Sequence, residues 1–121
     1  MTIKKFLAVI FLSALIFSIA CVNLSADERP VLMMLSTKTC PACKQMAKVL
    51  KQLNKDYPAI KTQHIYFEDG KHDDLFAKYD VEYVPTLIFK DENGKFIARK
   101  VGYMSEKQVI KIFKEAGVQI N

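Results

Sequence analysis

Cys40-Pro41-Ala42-Cys43 comes directly after an apolar run, Val31 to Leu35, and a short polar turn, Ser36 to Thr39. A continuous apolar run of that length suits a strand covered on both faces. The turn then delivers the cysteine pair to a helix N-terminus at the strand's carboxyl end, where ligand and catalytic groups gather in open α/β sheets. Two cysteines three positions apart on the first turn of a helix bring their sulfurs close enough to close a small disulfide ring, which is a two-electron switch. Cys40 is expected at or just before the first helical position, where unpaired N–H groups and the positive end of the helix dipole stabilise a thiolate. Pro41 fits that position, which has no N–H bond to lose and suits proline's fixed φ. Cys43, one turn further in, is expected to be the more buried and to resolve a mixed disulfide formed on Cys40.

Reading outward, Ala42, Met46, Val49, Leu50 and Leu53 follow a helical spacing with lysines opposite, and Pro58 closes that helix. The Met46 and Leu50 stripe reads as core packing. Thr62 to Glu68 carries Ile65, Tyr66 and Phe67 and is expected as a second strand, parallel to the first through the helical crossover. Asp73 and Asp74 open a short helix that runs to Tyr79. Pro85 stands at the mouth of an apolar strand ending at Lys90, and Asp91-Glu92-Asn93-Gly94 is a hairpin turn signal. Lys95 to Val101 returns, with Phe96, Ala98 and Lys100 expected on one face and Ile97, Arg99 and Val101 on the other. Ser105 and Gln108 form a capping-box pattern before Val109, Ile110, Ile112 and Phe113, and Gly117 marks the stop. The order is β-α-β-α-β-β-α, an α/β domain with a four-stranded mixed sheet flanked by helices.

The 121 residues suit one domain, and half of them are apolar, enough for a packed core. The net charge of +5 comes from 18 basic and 13 acidic side chains spread along the chain. Its only two arginines, Arg29 and Arg99, are far apart, so a solvated surface is the reading and no nucleic-acid partner is expected. Residues 1–26 read as a leader and its short linker, and 27–121 as the folded domain. Lys4-Lys5 form a positive n-region and Phe6 to Ala20 an apolar run of signal-peptide length. Ser18-Ile19-Ala20-Cys21 resembles a bacterial lipobox in which Cys21 becomes lipidated, although Ser18 departs from the usual leucine. Cleavage after Ala20 or Ala26 and an uncleaved anchor remain alternatives. The chain is therefore expected to be exported to the periplasm, with membrane attachment only through the leader or a lipid on Cys21. Disulfides persist in that compartment, but a loop as short as Cys40–Cys43 constrains little unfolded-chain entropy. Redox chemistry explains the pair better than stability does.

Taken together, Cys40-Pro41-Ala42-Cys43, Val84-Pro85-Thr86, Phe89-Lys90-Asp91-Glu92-Asn93-Gly94-Lys95 and Gly102-Tyr103 make residues 30 to 117 resemble the thioredoxin family, in particular its exported bacterial thioredoxin-like members. The resemblance implies a thioredoxin-like fold and a protein-disulfide oxidoreductase needing no cofactor. Cys40 maps onto the nucleophile and Cys43 onto the resolving thiol. It further implies that Pro85 is cis and faces the pair, with the Val84 backbone offered to a substrate chain. Substrates would be exported proteins bearing disulfides or thiols, with a membrane thiol carrier as electron source and the protein acting as a monomer. The chain departs from thioredoxins proper in having Thr39 before the pair, no tryptophan, and Met34 where they carry a buried aspartate. His64, near the place of a family lysine, is the candidate for proton transfer to and from Cys43. Pro41-Ala42 holds no histidine or other cation donor, so a potential nearer thioredoxin's, about −270 mV, than DsbA's, about −120 mV, is expected. The same sulfurs run in reverse would make a thiol oxidase. A different class of reading, copper or zinc held by Cys40 and Cys43 with His64 or His72, lacks a usual ligand spacing, and no metal site is expected.

Overall fold

The computed structural model describes residues 28–121. Within them a central strand, β1 (Val31–Ser36), leads into a long helix, α1 (Pro41–Asp56), and then a second strand, β2 (Lys61–Tyr66). A single 3₁₀ turn (Phe67–Asp69) and a short helix, α2 (Asp73–Lys78), connect to the hairpin β3 (Thr86–Lys90) and β4 (Phe96–Val101), and α3 (Glu106–Glu115) completes the domain. The strand order is β2-β1-β3-β4, with β1 parallel to β2 and antiparallel to β3, and β3 antiparallel to β4. The α/β reading with one mixed four-stranded sheet holds.

Alternation along β1 divides the core. Leu32 and Met34 face α1 and α3, where they pack with Met46, Leu50, Leu53, Leu87, Phe89, Val109 and Phe113. Met33 and Leu35 point to the opposite face and meet Phe76 of α2 and Ile88. Because both faces of β1 and β3 are covered, Val31 to Leu35 and Leu87 to Phe89 are continuously apolar, as the first of these runs implied. The Phe89 and Phe113 rings meet 5.3 Å apart at 59° and join the sheet to α3. The capping box at the start of α3 is complete: the Ser105 hydroxyl accepts from the Gln108 N–H, and the Gln108 side chain accepts from the Ser105 N–H.

Two expectations are corrected. The second strand stops at Tyr66; Phe67 and Glu68 belong to the 3₁₀ turn, which Gly70 ends in a left-handed conformation. Phe67 is exposed and packs edge-on against Phe76 rather than continuing the strand. The regular alternation expected along β4 fails because of a bulge. Lys90 pairs with Phe96 while Phe89 pairs with Ala98, so Ile97 is an extra residue. The bulge lets Ile97 and Ala98 both pack on the α1 side of the sheet and leaves Phe96 exposed. In the hairpin itself the Asp91 carboxylate accepts from the N–H groups of Asn93 and Lys95, and Gly94 takes the positive φ.

Candidate functional site

The carboxyl end of β1 sets the site. Cys40 is the N-cap of α1 with extended φ and ψ, and its sulfur accepts a hydrogen bond from the Cys43 N–H at 3.1 Å. Pro41 occupies the first helical turn, as its missing N–H favours. Cys40 and Cys43 are disulfide-bonded, with Cα atoms 5.2 Å apart. Their environments differ as a two-step exchange requires: Cys40 is partly open to solvent, whereas Cys43 is 2% exposed.

The loop before β3 reaches the same point from the other side. The Val84-Pro85 peptide bond is cis, and the Val84 carbonyl oxygen lies 3.8 Å from the Cys40 sulfur. Two further bonds hold this loop in place. The buried Thr86 hydroxyl donates to the Tyr83 carbonyl at 2.6 Å, and the Gly102 N–H donates to the Pro85 carbonyl at 2.8 Å. Gly102 carries φ +95, which a side chain would resist. The cis bond that the resemblance implied is thus present, and it sets the Val84 carbonyl beside the Cys40 sulfur. Tyr83, which precedes the cis bond, and Tyr103, which follows Gly102, are 70% and 53% exposed.

On the α1 side of the sheet, β1–β2 pairing sets Met34 opposite His64 and Ser36 opposite Tyr66. The Ser36 side chain therefore sits under the first turn of α1 with His64. Its hydroxyl lies 2.7 Å from His64 Nε2 and 3.3 Å from the Ile65 carbonyl oxygen. Ser36, read from sequence as the first residue of a polar turn, is instead the last residue of β1 and fully buried. Met34, also fully buried, offers no proton acceptor at the place of the family aspartate. Cys43, His64, Thr37, Lys38, Lys44, Ala47 and Tyr66 line one cavity of about 240 Å³. Glu68, expected on the strand beside His64, instead accepts from the Lys38 N–H at 3.0 Å, and Asp69 pairs with the Lys38 ammonium at 3.1 Å. These contacts tie the turn before Cys40 to the end of β2.

Burial pushes the His64 imidazole below its ordinary value of 6.5. The folded chain thus resists protonation that the unfolded chain accepts. The stability contributed by neutral His64 is complete above pH 6.5 and is lost as the pH falls through the lowered folded-state value. Urea denaturation over that acid window is expected to show stability falling with pH in the wild type and a flatter profile in His64→Gln. An unchanged slope would place the imidazole in water.

His72 caps α2 and is exposed, away from the cysteine pair's lining residues. Among the described residues, no three of the His, Cys, Asp or Glu side chains gather where they could hold a metal ion. Cys21 and the leader lie outside the described residues.

Comparison with known proteins agrees with this geometry. A thioredoxin-like domain model matches residues 17–117. The chain is 33% identical to thioredoxin C-2 of Corynebacterium nephridii over 96 residues, covering 75% of this chain and 86% of that one. It is 36% identical to the thioredoxin of Pseudomonas aeruginosa over 88 residues, 71% of this chain and 77% of that one. A thioredoxin-like protein from Clostridium perfringens, solved in solution, superposes with a TM-score of 0.68 at 30% identity, over 79% of this chain and 77% of its own.

Proposed function

The chain belongs to the thioredoxin-like family and is a thiol–disulfide oxidoreductase, and we propose that it works as a reductase, reducing disulfides of exported proteins through a Cys40/Cys43 cycle. The observation that carries this reading is the unequal placement of the two sulfurs, Cys40 open beside the Val84 carbonyl and Cys43 buried one turn below. Cys40 as thiolate attacks a substrate disulfide, forming a mixed disulfide and releasing one substrate thiolate. Cys43 then attacks the Cys40 sulfur, the second substrate thiolate leaves, and the pair ends oxidised while the substrate has gained two electrons and two protons. Val84 and Pro85 supply the backbone edge along which an extended substrate lies.

The reducing direction is supported by what surrounds the nucleophile. Neither Pro41 nor Ala42 brings a cation to the Cys40 sulfur, so the reduced form lacks the extra stabilisation that makes a strong oxidant. Equilibration against a thiol buffer of known poise is expected to give a potential near about −270 mV; a value above the disulfide-isomerase range, about −180 mV, would assign the oxidase direction instead. Export rests on Lys4-Lys5 and the apolar run Phe6 to Ala20, with Cys21 as the lipid attachment point and a membrane thiol carrier returning electrons to the pair. Fractionation of cells expressing the full chain, with palmitate labelling lost in Cys21→Ala, tests that placement. Label that persists in the variant, or protein retained in the cytoplasm, argues against it.

A further inference from the structure

With Met34 in place of a carboxylate, the buried Cys43 thiol needs another acceptor for the proton it must lose before attacking. The cavity beneath it holds few choices. Thr37 and Tyr66 are hydroxyls, Lys38 and Lys44 are cations, and Ala47 is apolar, so the His64 imidazole alone among the lining residues offers a nitrogen lone pair. Those two lysines, together with Tyr66, whose ring centroid is 4.2 Å from that of His64, are the titratable groups that face the imidazole besides Cys43. The carboxylates of Glu68 and Asp69 are turned to Lys38.

Ser36 decides which nitrogen is free. Its buried hydroxyl has one hydrogen and two near partners, His64 Nε2 at 2.7 Å and the Ile65 carbonyl oxygen at 3.3 Å. If the hydroxyl gave its hydrogen to Nε2, two oxygens would face each other across the second contact with no hydrogen between them. If it donates to Ile65, it accepts from an Nε2–H, and both contacts become hydrogen bonds. That assignment leaves Nδ1 bare.

We infer that Ser36 and His64 form a proton relay for Cys43: Ser36 is a positioning residue that holds the hydrogen of the imidazole on Nε2, and Nδ1 receives the Cys43 thiol proton across the cavity. The cavity, about 240 Å³, is roomy enough for water to bridge the two groups, with the Thr37 and Tyr66 hydroxyls among its lining to hold it. In the step itself the Cys43 proton passes to Nδ1 and the Cys43 thiolate forms the bond to the Cys40 sulfur. The bond from Cys40 to the substrate sulfur breaks, and the imidazolium returns its proton to the departing thiolate through solvent. This rests on the exchange reaction proposed above and adds the handling of its proton.

The two attacks can be timed separately. Reduced protein mixed with excess 5,5′-dithiobis(2-nitrobenzoate) releases one aromatic thiolate when Cys40 attacks and a second when Cys43 displaces it. His64→Gln is expected to leave the first release unchanged and to slow the second by about a hundredfold at neutral pH, the low end of general-base effects. The second release should also change its pH profile, from a plateau above the imidazole titration to a rise that continues into the alkaline range. Nitrogen-15 spectra of wild-type His64 should show the hydrogen on Nε2. Ser36→Ala should give mixed tautomers and a slower second release, and Ser36→Thr, which keeps the hydroxyl, should restore both. Second-release profiles that superimpose for wild type and His64→Gln would overturn the relay, as would a wild-type tautomer with its hydrogen on Nδ1. The tautomer measurement decides even if Ser36→Ala does not fold. Absence of the first release in the wild type would instead sink the exchange reaction itself.

Discussion

Cys40→Ser is expected to abolish disulfide reduction, by on the order of a thousandfold or more, because a hydroxyl at that place cannot form the nucleophile on which the cycle depends. The fold should survive the change. A serine oxygen is itself a good helix N-cap and can accept the Cys43 N–H that the sulfur accepts now. Loss of activity with an unchanged unfolding midpoint is therefore the expected pair of results. Cys43→Ala should fail differently. Its Cys40 still attacks, but no second thiol frees the product, so substrates accumulate as mixed disulfides on Cys40. Alanine is the better replacement there because Cys43 is 2% exposed, and alanine adds no buried hydroxyl that would need a partner of its own. Trapping with Cys43→Ala and identifying the captured proteins checks both the mechanism and the substrate class. Full turnover by Cys40→Ser, or by Cys43→Ala without trapped adducts, would remove the two-cysteine cycle.

Phe113→Ala is expected to cost about 3–5 kcal/mol, the range for truncating a buried aromatic, where the cavity left behind adds to the lost transfer energy. Phe113 is fully buried and lies against Phe89, so its removal opens the layer between α3 and the sheet. For a domain of this size, such a loss lowers the Tm by about 15 °C or more. It also takes a large part of the ~5–15 kcal/mol that holds a typical domain folded. Urea denaturation measures it directly, as a fall in midpoint with the slope unchanged. Ile112, on the same helix but only partly buried, serves as the contrast: Ile112→Ala should cost distinctly less. Equal losses at the two positions would mean that the core is not centred where Phe89 and Phe113 meet.

Features set by local periodicity or by a single turn were legible in the sequence. The run Val31 to Leu35, the helix from Pro41, the capping box at Ser105 and Gln108 and the turn ending in Gly94 each signal themselves within a few residues. Cys40 and Cys43 were legible for the same reason, while the cis bond at Pro85 became an expectation only through the family resemblance. What escaped depends on partners distant in the chain. Ile97 becomes a bulge only because β4 must keep register with β3 on both sides of Phe89. Phe67 has the composition of a strand residue, but the chain turns at Gly70 and places it against Phe76. Ser36 was the largest omission. A serine after an apolar strand looks like the beginning of a turn, and its meaning comes from His64, 28 positions away, brought alongside by β1–β2 pairing.

The N-cap bond at Cys40 also joins two properties usually treated apart. The sulfur that starts α1 is the sulfur that changes oxidation state, and the Cys43 N–H that it holds belongs to the residue that will attack it. Order in the helix's first turn and the reactivity of the nucleophile are thus a single variable. A change that frays that turn, even one touching neither cysteine, loosens the grip on negative charge at Cys40 and alters chemistry through secondary structure alone. Conversely, the Cys43 amide is a built-in reporter: its hydrogen bond is made to a disulfide sulfur in one state and to a charged thiolate in the other, so its exchange with solvent registers which state the protein is in.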